Sequence, residues 1–230
     1  MPDSNLEQLI RAARLLRPLL DELVFVGGSV AGLLITDGAS ADPRPTLDVD
    51  VIAEIASYAE YVEFGDRLRA LGFAEDHREG APTCRWVYEV LILDIMPLDE
   101  KILGFSNRWY RAAAETAVWR RLTDELEIRL VTAPLFLATK LEAFKDRGKR
   151  DFFGSRDLED FIFVLDGRAT LVSELLAENR KFRAYIRSEI AGLLAAPGFL
   201  DALPGFLPPD AASQSRVVSV LRRLKELASL

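Results

Sequence analysis

Cysteine and histidine are nearly missing from this chain: one of each, Cys84 and His77, stands among 230 residues. A lone cysteine forms no internal disulfide, which fits a reducing compartment. Zinc chemistry needs more Cys or His ligands than these. A Ser-His-Asp hydrolase would have to run through His77, and no G-x-S-x-G surrounds any serine, so His77 reads as an ordinary surface residue. Basic charge is also short. With 29 Lys and Arg against 36 Asp and Glu the net charge is −7, which is not the balance of a general nucleic-acid coat protein. Any nucleic-acid contact would use a local basic patch. Long apolar runs are absent. The longest, Leu23 to Ile35, is broken by Gly27, Gly28 and Gly32 and is too short to span a bilayer. The polar, charged N-terminus predicts no secretory signal. The expectation is therefore a cytoplasmic protein without membrane association. There is no internal repeat and no low-complexity tract.

The length suits one large domain or two small ones, and a hydrophobic share of 50% is ample for a core. The most informative stretch is residues 23–52. Leu23-Val24-Phe25-Val26 is a short apolar run with β-formers, consistent with a buried strand. Gly27-Gly28-Ser29 follows at once. Val30 to Ile35 then reads as a short helix. Residues 36–45 form a long loop rich in turn residues, which hints at a functional segment. Thr46 to Ile52 reads as a second strand. Its alternation puts Asp48 and Asp50 on one face and Leu47, Val49 and Val51, packed inward, on the other.

Two carboxylates side by side repel unless a cation sits between them, and hard oxygen ligands suit Mg²⁺. Gly-Gly-Ser after a strand lets bare backbone N–H groups approach a phosphate. Separately, each feature has a plainer reading, a tight turn and a solvated strand edge. Together, a phosphate cradle beside a Mg²⁺-binding carboxylate pair is the equipment of a nucleotidyl or phosphoryl transferase.

Around this stretch the periodicity predicts an amphipathic helix over 5–20, with Leu6, Ile10, Ala13, Leu16 and Leu20 on one stripe. Ser57 caps a predicted helix that runs to about Leu71 and stops at Gly72. Strands are expected near 83–90, with Glu89 at their junction, and 91–96. Asp94 lies in the second among Leu91, Ile92, Leu93, Ile95 and Met96. It is either a buried carboxylate satisfied by backbone donors or an arginine, or a third acid facing Asp48 and Asp50. Three acids can hold two metal ions, or hold one and serve as base for an attacking hydroxyl. Residues 106–121 are basic and aromatic, either an amphipathic surface segment or phosphate contacts with a stacking face for nucleic acid. Ile128 to Val131 reads as one more strand.

From Pro134 the pattern is helical. Leu137, Leu141 and Phe144 form a stripe, with Lys140 on its flank and Arg147 two turns later on the same side. Lys140 either snorkels or reaches nucleotide phosphates. Ser155 caps the next helix. There Asp157 sits in the first turn beside the buried face, where the helix dipole favours it in any case, while Glu159 and Asp160 are expected to point outward. Gly148-Lys149-Arg150-Asp151 reads as a flexible charged link. Helices near 171–196 and 212–229 complete the chain. The division expected is an α/β core over 1–133 and a helical region over 134–230.

Gly27-Gly28-Ser29, Asp48-x-Asp50, Asp94, Lys140 and Asp157 follow one another in an order that resembles the nucleotidyltransferase superfamily with the DNA polymerase β-like core. More narrowly the chain resembles the AbiE-type toxin branch, which includes the MenT toxins. The resemblance covers residues 20–166. Its most specific stretches are 26–29, 47–52, 138–144 and 155–160. It implies an α+β fold: a short mixed sheet flanked by helices, followed by a C-terminal helical bundle closing the cleft. Asp48 and Asp50 would be Mg²⁺ ligands, with Asp94 a less uniform third acid. Gly27, Gly28 and Ser29 would contact the phosphates of an NTP, Lys140 its triphosphate, and Asp157 would be the branch's acid after that lysine, a place for which Asp151 competes. Toxins of this branch transfer nucleotides from NTP to RNA, including tRNA 3′ ends, and are neutralised by a cognate antitoxin. The gap between Ser29 and Asp48 is longer than the superfamily's usual spacing and leaves loop 36–45 unassigned. A transferase to a small-molecule acceptor and a non-catalytic nucleotide- or partner-binding module on the same fold are the alternatives.

Overall fold

The computed structural model describes residues 4–38, 40–147 and 151–229. The charged link expected at 148–151 therefore lies outside the described residues except for Asp151. The chain divides into two compact units, residues 1–30 with 44–135, and residues 31–43 with 136–230.

The first unit is built on a seven-stranded mixed sheet in the order β3-β4-β5-β2-β1-β7-β6. Its strands are β1 (Leu23–Val26), β2 (Asp48–Ala53), β3 (Ala74–Glu75), β4 (Arg85–Tyr88), β5 (Leu91–Pro97), β6 (Val118–Thr123) and β7 (Leu126–Leu130). β1 lies antiparallel to β2 and parallel to β7, and β2 lies parallel to β5. All four residues of β1 are buried, as a central strand with apolar neighbours on both faces requires.

Helix α1 (Ser4–Leu15) buries Leu9, Ala12 and Ala13. The helix expected over 5–20 ends early. Pro18 cannot donate a backbone hydrogen bond, and Arg17–Glu22 winds as a 3₁₀ turn leading into β1. Helix α2 (Tyr58–Ala70) starts as expected: Ser57 Oγ accepts from the Glu60 N–H, and the Glu60 carboxylate accepts from the Ala56 N–H. A Cβ at Gly65 would stand 3.2 Å from the Trp86 ring, so α2 approaches β4 closely at that glycine. Two short helices, α3 (Glu100–Leu103) and α4 (Tyr110–Glu115), follow β5.

Leu47 lies just outside β2 and is 74% exposed, whereas Val49 and Val51 are fully buried. The inward assignment of Leu47 fails because the strand begins one residue later. The basic, aromatic stretch 106–121 divides between α4 and β6, an edge strand whose first four residues are exposed.

The second unit is helical. Its helices are α5 (Ala133–Arg147), α6 (Arg156–Gly167), α7 (Leu171–Ala177), α8 (Arg180–Ala195), α9 (Phe199–Ala202), α10 (Ala211–Ser215) and α11 (Val217–Leu227). The helix expected over 171–196 is interrupted at Glu178 and restarts at Asn179, whose side chain accepts from the Phe182 N–H. α11 packs against α6, α7 and α8 through Val220, Leu224 and Leu227. Segment 31–43 is tied to the end of α6: Thr36 and Asp37 N–H donate to the Gly167 carbonyl, and Arg216 bridges Asp37 and Asp166. Among the described residues no helix is long and apolar enough to cross a membrane.

Candidate active site

In the sheet unit the acids sit on adjacent strands. Asp48 and Asp50 alternate with buried Val49 and so share one face of β2. Parallel pairing puts Asp94 of β5 beside Asp50, and antiparallel pairing puts Arg85 of β4 beside Asp94. Asp48, Asp50 and Asp94 therefore occupy one face of neighbouring strands. Asp94 is buried, while Asp48 and Asp50 are half-buried.

Arg85 had no role in the sequence reading. Its Nε donates to Asp94 Oδ1 at 2.8 Å and its Nη2 to Asp94 Oδ2 at 2.7 Å, a forked pair. The same Nη2 reaches Asp48 Oδ2 at 3.0 Å. The arginine-satisfied alternative for Asp94 is thus the geometry seen. Asp94's hydrogen bond raises the Arg85 pKa further, against the opposing effect of burial. Among the described residues, no group of three or more acidic, histidine or cysteine side chains is gathered so as to hold a metal ion.

The turn after β1 is shaped for these acids. Gly27 has φ +74°, a left-handed conformation, and a Cβ there would lie 2.6 Å from Asp50 Cγ. Only glycine leaves the Asp50 carboxylate its place. Gly28–Leu34 then winds as a 3₁₀ helix in place of the short helix expected from Val30. Ser29 is buried, and its Oγ has no hydrogen-bond partner among the described residues. An orphaned buried hydroxyl costs free energy unless a water or a ligand satisfies it. Cys84, next to Arg85, is buried. Its thiol is pushed up to about 12, first by burial and then by the charges of Asp94 and Asp50.

These donors fit the group the resemblance implies. Asp48 and Asp50 carry hard oxygens on one strand face, the donor type that Mg²⁺ takes. Ser29 Oγ and the glycine turn suit a phosphate oxygen.

The helical unit holds a second constellation. Lys140 on α5 is buried, with Nζ 2.6 Å from Asp160 Oδ2 and 3.5 Å from Asp157 Oδ1. Arg147, two turns on, forks onto Asp157 at 2.8 and 2.9 Å. Burial pushes the Asp157 carboxyl up, but the Arg147 hydrogen bond and the charges of Lys140 and Arg147 outweigh it and hold the pKa below its ordinary value. Asp160, expected to point outward, is buried and carries the shortest contact to Lys140. The i, i+3 spacing of Asp157 and Asp160 was the available signal, since such residues share a helix face. Asp151 is exposed, and its carboxylate accepts from the Phe153 and Gly154 N–H groups in a local turn.

In the basic, aromatic stretch, Trp119 is 55% exposed on β6 beside exposed Arg120 and Arg121. The Arg108 guanidinium stacks over the Trp109 ring at 5.3 Å.

No protein-family model and no curated protein sequence matches this chain. Solved structures do. An antigenic nucleotidyltransferase-like protein from Paracoccidioides brasiliensis aligns with a TM-score of 0.54 and 17% identity, covering 87% of this chain and 92% of that one. A candidate nucleotidyltransferase from Helicobacter pylori aligns with a TM-score of 0.43 and 15% identity, over 97% and 92% of the two chains. JHP933 from H. pylori aligns with a TM-score of 0.42 and 13% identity, over 97% and 90%. Of the three, only the Paracoccidioides likeness exceeds a TM-score of one half, and at 17% identity it speaks for the fold. The chain has the α+β fold of a nucleotidyltransferase-like protein.

Proposed function

We propose that this protein is a Mg²⁺-dependent nucleotidyltransferase. It would move a nucleoside monophosphate from an NTP to an acceptor hydroxyl. The observation that carries this reading is the juxtaposition of Gly27 and Asp50: the left-handed glycine after β1 clears the position of a carboxylate that shares its strand face with Asp48. A solvated strand edge would not require a glycine there.

Asp48 and Asp50 would hold the cation. When bound, Mg²⁺ supplies neutralisation of the charge that builds on the α-phosphate and the leaving group. Ser29 Oγ and the backbone of Gly27 and Gly28 would receive phosphate oxygens, which satisfies the orphaned hydroxyl. The acceptor hydroxyl would attack the α-phosphorus and give up its proton, to solvent or with Asp94 assisting, and the bond to the bridging oxygen would break with departure of pyrophosphate.

For the acceptor we favour RNA, in the manner of the AbiE/MenT-type toxins, including transfer to tRNA 3′ ends. Exposed Trp119 with Arg120 and Arg121 offers a stacking face with phosphate contacts. A cognate antitoxin follows from the same branch assignment.

The test is an incubation of purified protein with each labelled NTP, total tRNA and Mg²⁺, alongside Asp48→Ala. Label on RNA with the wild type alone is the expected result. Equal transfer by a folded Asp48→Ala variant would refute the site. Transfer of label only to small hydroxylated acceptors would refute RNA.

A further inference from the structure

We infer that the outer end of the acid face, on β5 and β4, is the acceptor subsite, and that it seats the terminal nucleoside of an RNA 3′ end. This rests on the nucleotidyltransferase reading above and adds the place where the acceptor binds.

A cavity of about 640 Å³ lies there, within the roughly 300–1,000 Å³ that small-molecule sites occupy. Its floor is Val87 of β4 and Ile92 of β5, with Val90 on the turn between the two strands. The register makes this floor continuous with the acids. Asp48 pairs with Ile92 and Ile92 pairs with Val87, so the three stand in one row on one face. Neighbouring strands lie about 4.8 Å apart, which puts Ile92 about 5 Å and Val87 about 10 Å from Asp48. Trp86 turns the other way, against α2, and is buried, whereas Val87 and Ile92 are left half-buried.

The Gly27–Ser29 turn lies on the opposite flank of the acids, at the end of β1. In-line transfer sets the attacking and leaving oxygens on opposite sides of the phosphorus. With the phosphates on the glycine turn, pyrophosphate departs on the β1 flank. The acceptor hydroxyl then enters from the β5–β4 flank, across this floor.

The lining selects the class of acceptor. Val87, Val90 and Ile92 offer no hydrogen bonds, so they suit the flat face of a ring. Each carboxylate of the rim is held by an arginine: Glu75 by Arg69, Asp76 by Arg78 and Glu89 by Arg11. A polycationic acceptor would need acids to spare, and a run of phosphates would need bases to spare. A nucleoside has uncharged ring faces and polar edges, which fit an apolar floor inside a balanced rim. His77 also lines the cavity and brings hydrogen-bonding nitrogens for a base edge. A base over Val87 and Ile92 brings its own ribose to the acids.

The experiment has two arms on the full chain. In the first, Val87→Trp fills the floor two strands away from Asp48, with a residue that strands favour. Transfer of label from NTP to tRNA is measured beside the affinity for ATP with Mn²⁺, which takes the same oxygen ligands as Mg²⁺. The expected result is a KM for tRNA raised about tenfold or more, with the Mn²⁺–ATP affinity within about twofold of wild type. An unchanged KM, or an equal loss of Mn²⁺–ATP affinity, would overturn the subsite. In the second arm, wild-type protein with Mn²⁺ and α,β-methylene-ATP is irradiated with a tRNA ending in 8-azidoadenosine. The expected crosslink lies within residues 75–92. A crosslink confined to β6 would seat the terminal nucleoside on Trp119, overturning this inference and leaving the transferase reading standing. Wild-type protein that binds Mn²⁺–ATP but neither labels nor crosslinks tRNA would overturn the subsite as assigned together with RNA as acceptor, and failure to bind Mn²⁺–ATP would overturn the transferase reading itself. If Val87→Trp does not fold, the crosslink decides.

Discussion

Replacing Asp160 by leucine should destabilise the helical unit far more than a single hydrogen bond is worth. Lys140 Nζ lies 2.6 Å from Asp160 and 3.5 Å from Asp157, and all three side chains are at least nine-tenths buried. At an effective dielectric near 20, the closer pair gains about 6 kcal/mol of Coulomb energy, most of which offsets the desolvation of the two charges. Deleting one partner leaves the desolvation cost without its compensation. Asp160→Leu and Lys140→Met should each cost about 3–5 kcal/mol, a third or more of the stability of a typical domain. The double variant should cost less than the two singles together by at least ~2 kcal/mol, because Asp157 keeps its fork from Arg147. Urea unfolding at pH 7, followed by far-UV circular dichroism with slopes compared between variants, measures all three. Additive losses would refute the reasoning, since they would mean that Lys140 and Asp160 do not share a buried charge pair.

Three further outcomes are expected. Asp157 titrates below its ordinary value in the folded protein, so its contribution is present above a pH of about 4 and is lost as pH falls through the folded pKa. Asp157→Asn should therefore cost stability at pH 7 and progressively less in acid, and a penalty that grows on acidification would contradict this. The Cys84 thiol, buried and pushed up to about 12, should resist a thiol-reactive dye at pH 8 until the protein is unfolded, and rapid native labelling would refute its burial. Gly27→Ala should cost about 1–2 kcal/mol from the left-handed backbone alone. It should also weaken Mn²⁺ binding by displacing Asp50, and unchanged Mn²⁺ binding in the folded variant would remove Asp50 from the ligand set.

Much of the fold was readable because its signals are local. The all-apolar run 23–26, the alternation in 48–51, the Ser57 and Ser155 caps and the stop at Gly72 each depend on residues a few positions apart. Where boundaries shifted, a local competitor won: Pro18 shortened the first helix, and Asn179 restarted a helix that apolar spacing alone would have run straight through. Strand β6 escaped notice because an exposed edge strand carries no buried face to betray it. The sites followed the same division. Asp48 and Asp50 share a face by period two, and Gly27 is marked by its place directly after β1. Arg85 could not be found this way. Nothing in its neighbourhood marks it, and its meaning comes from the register that sets β4 against β5 and β5 against β2. Asp160 was assigned to the wrong side because a charged residue on an amphipathic helix is ordinarily solvated. It took a buried lysine from another helix to make its burial favourable.

Residue type and short-range period were enough to put Asp48 and Asp50 on one strand face and a glycine turn directly after β1. Only the tertiary structure decided how their charges are balanced, with Arg85 on Asp94 and Lys140 on Asp160. Charge pairing depends on which distant strands and helices become neighbours, and on how little water is left between them.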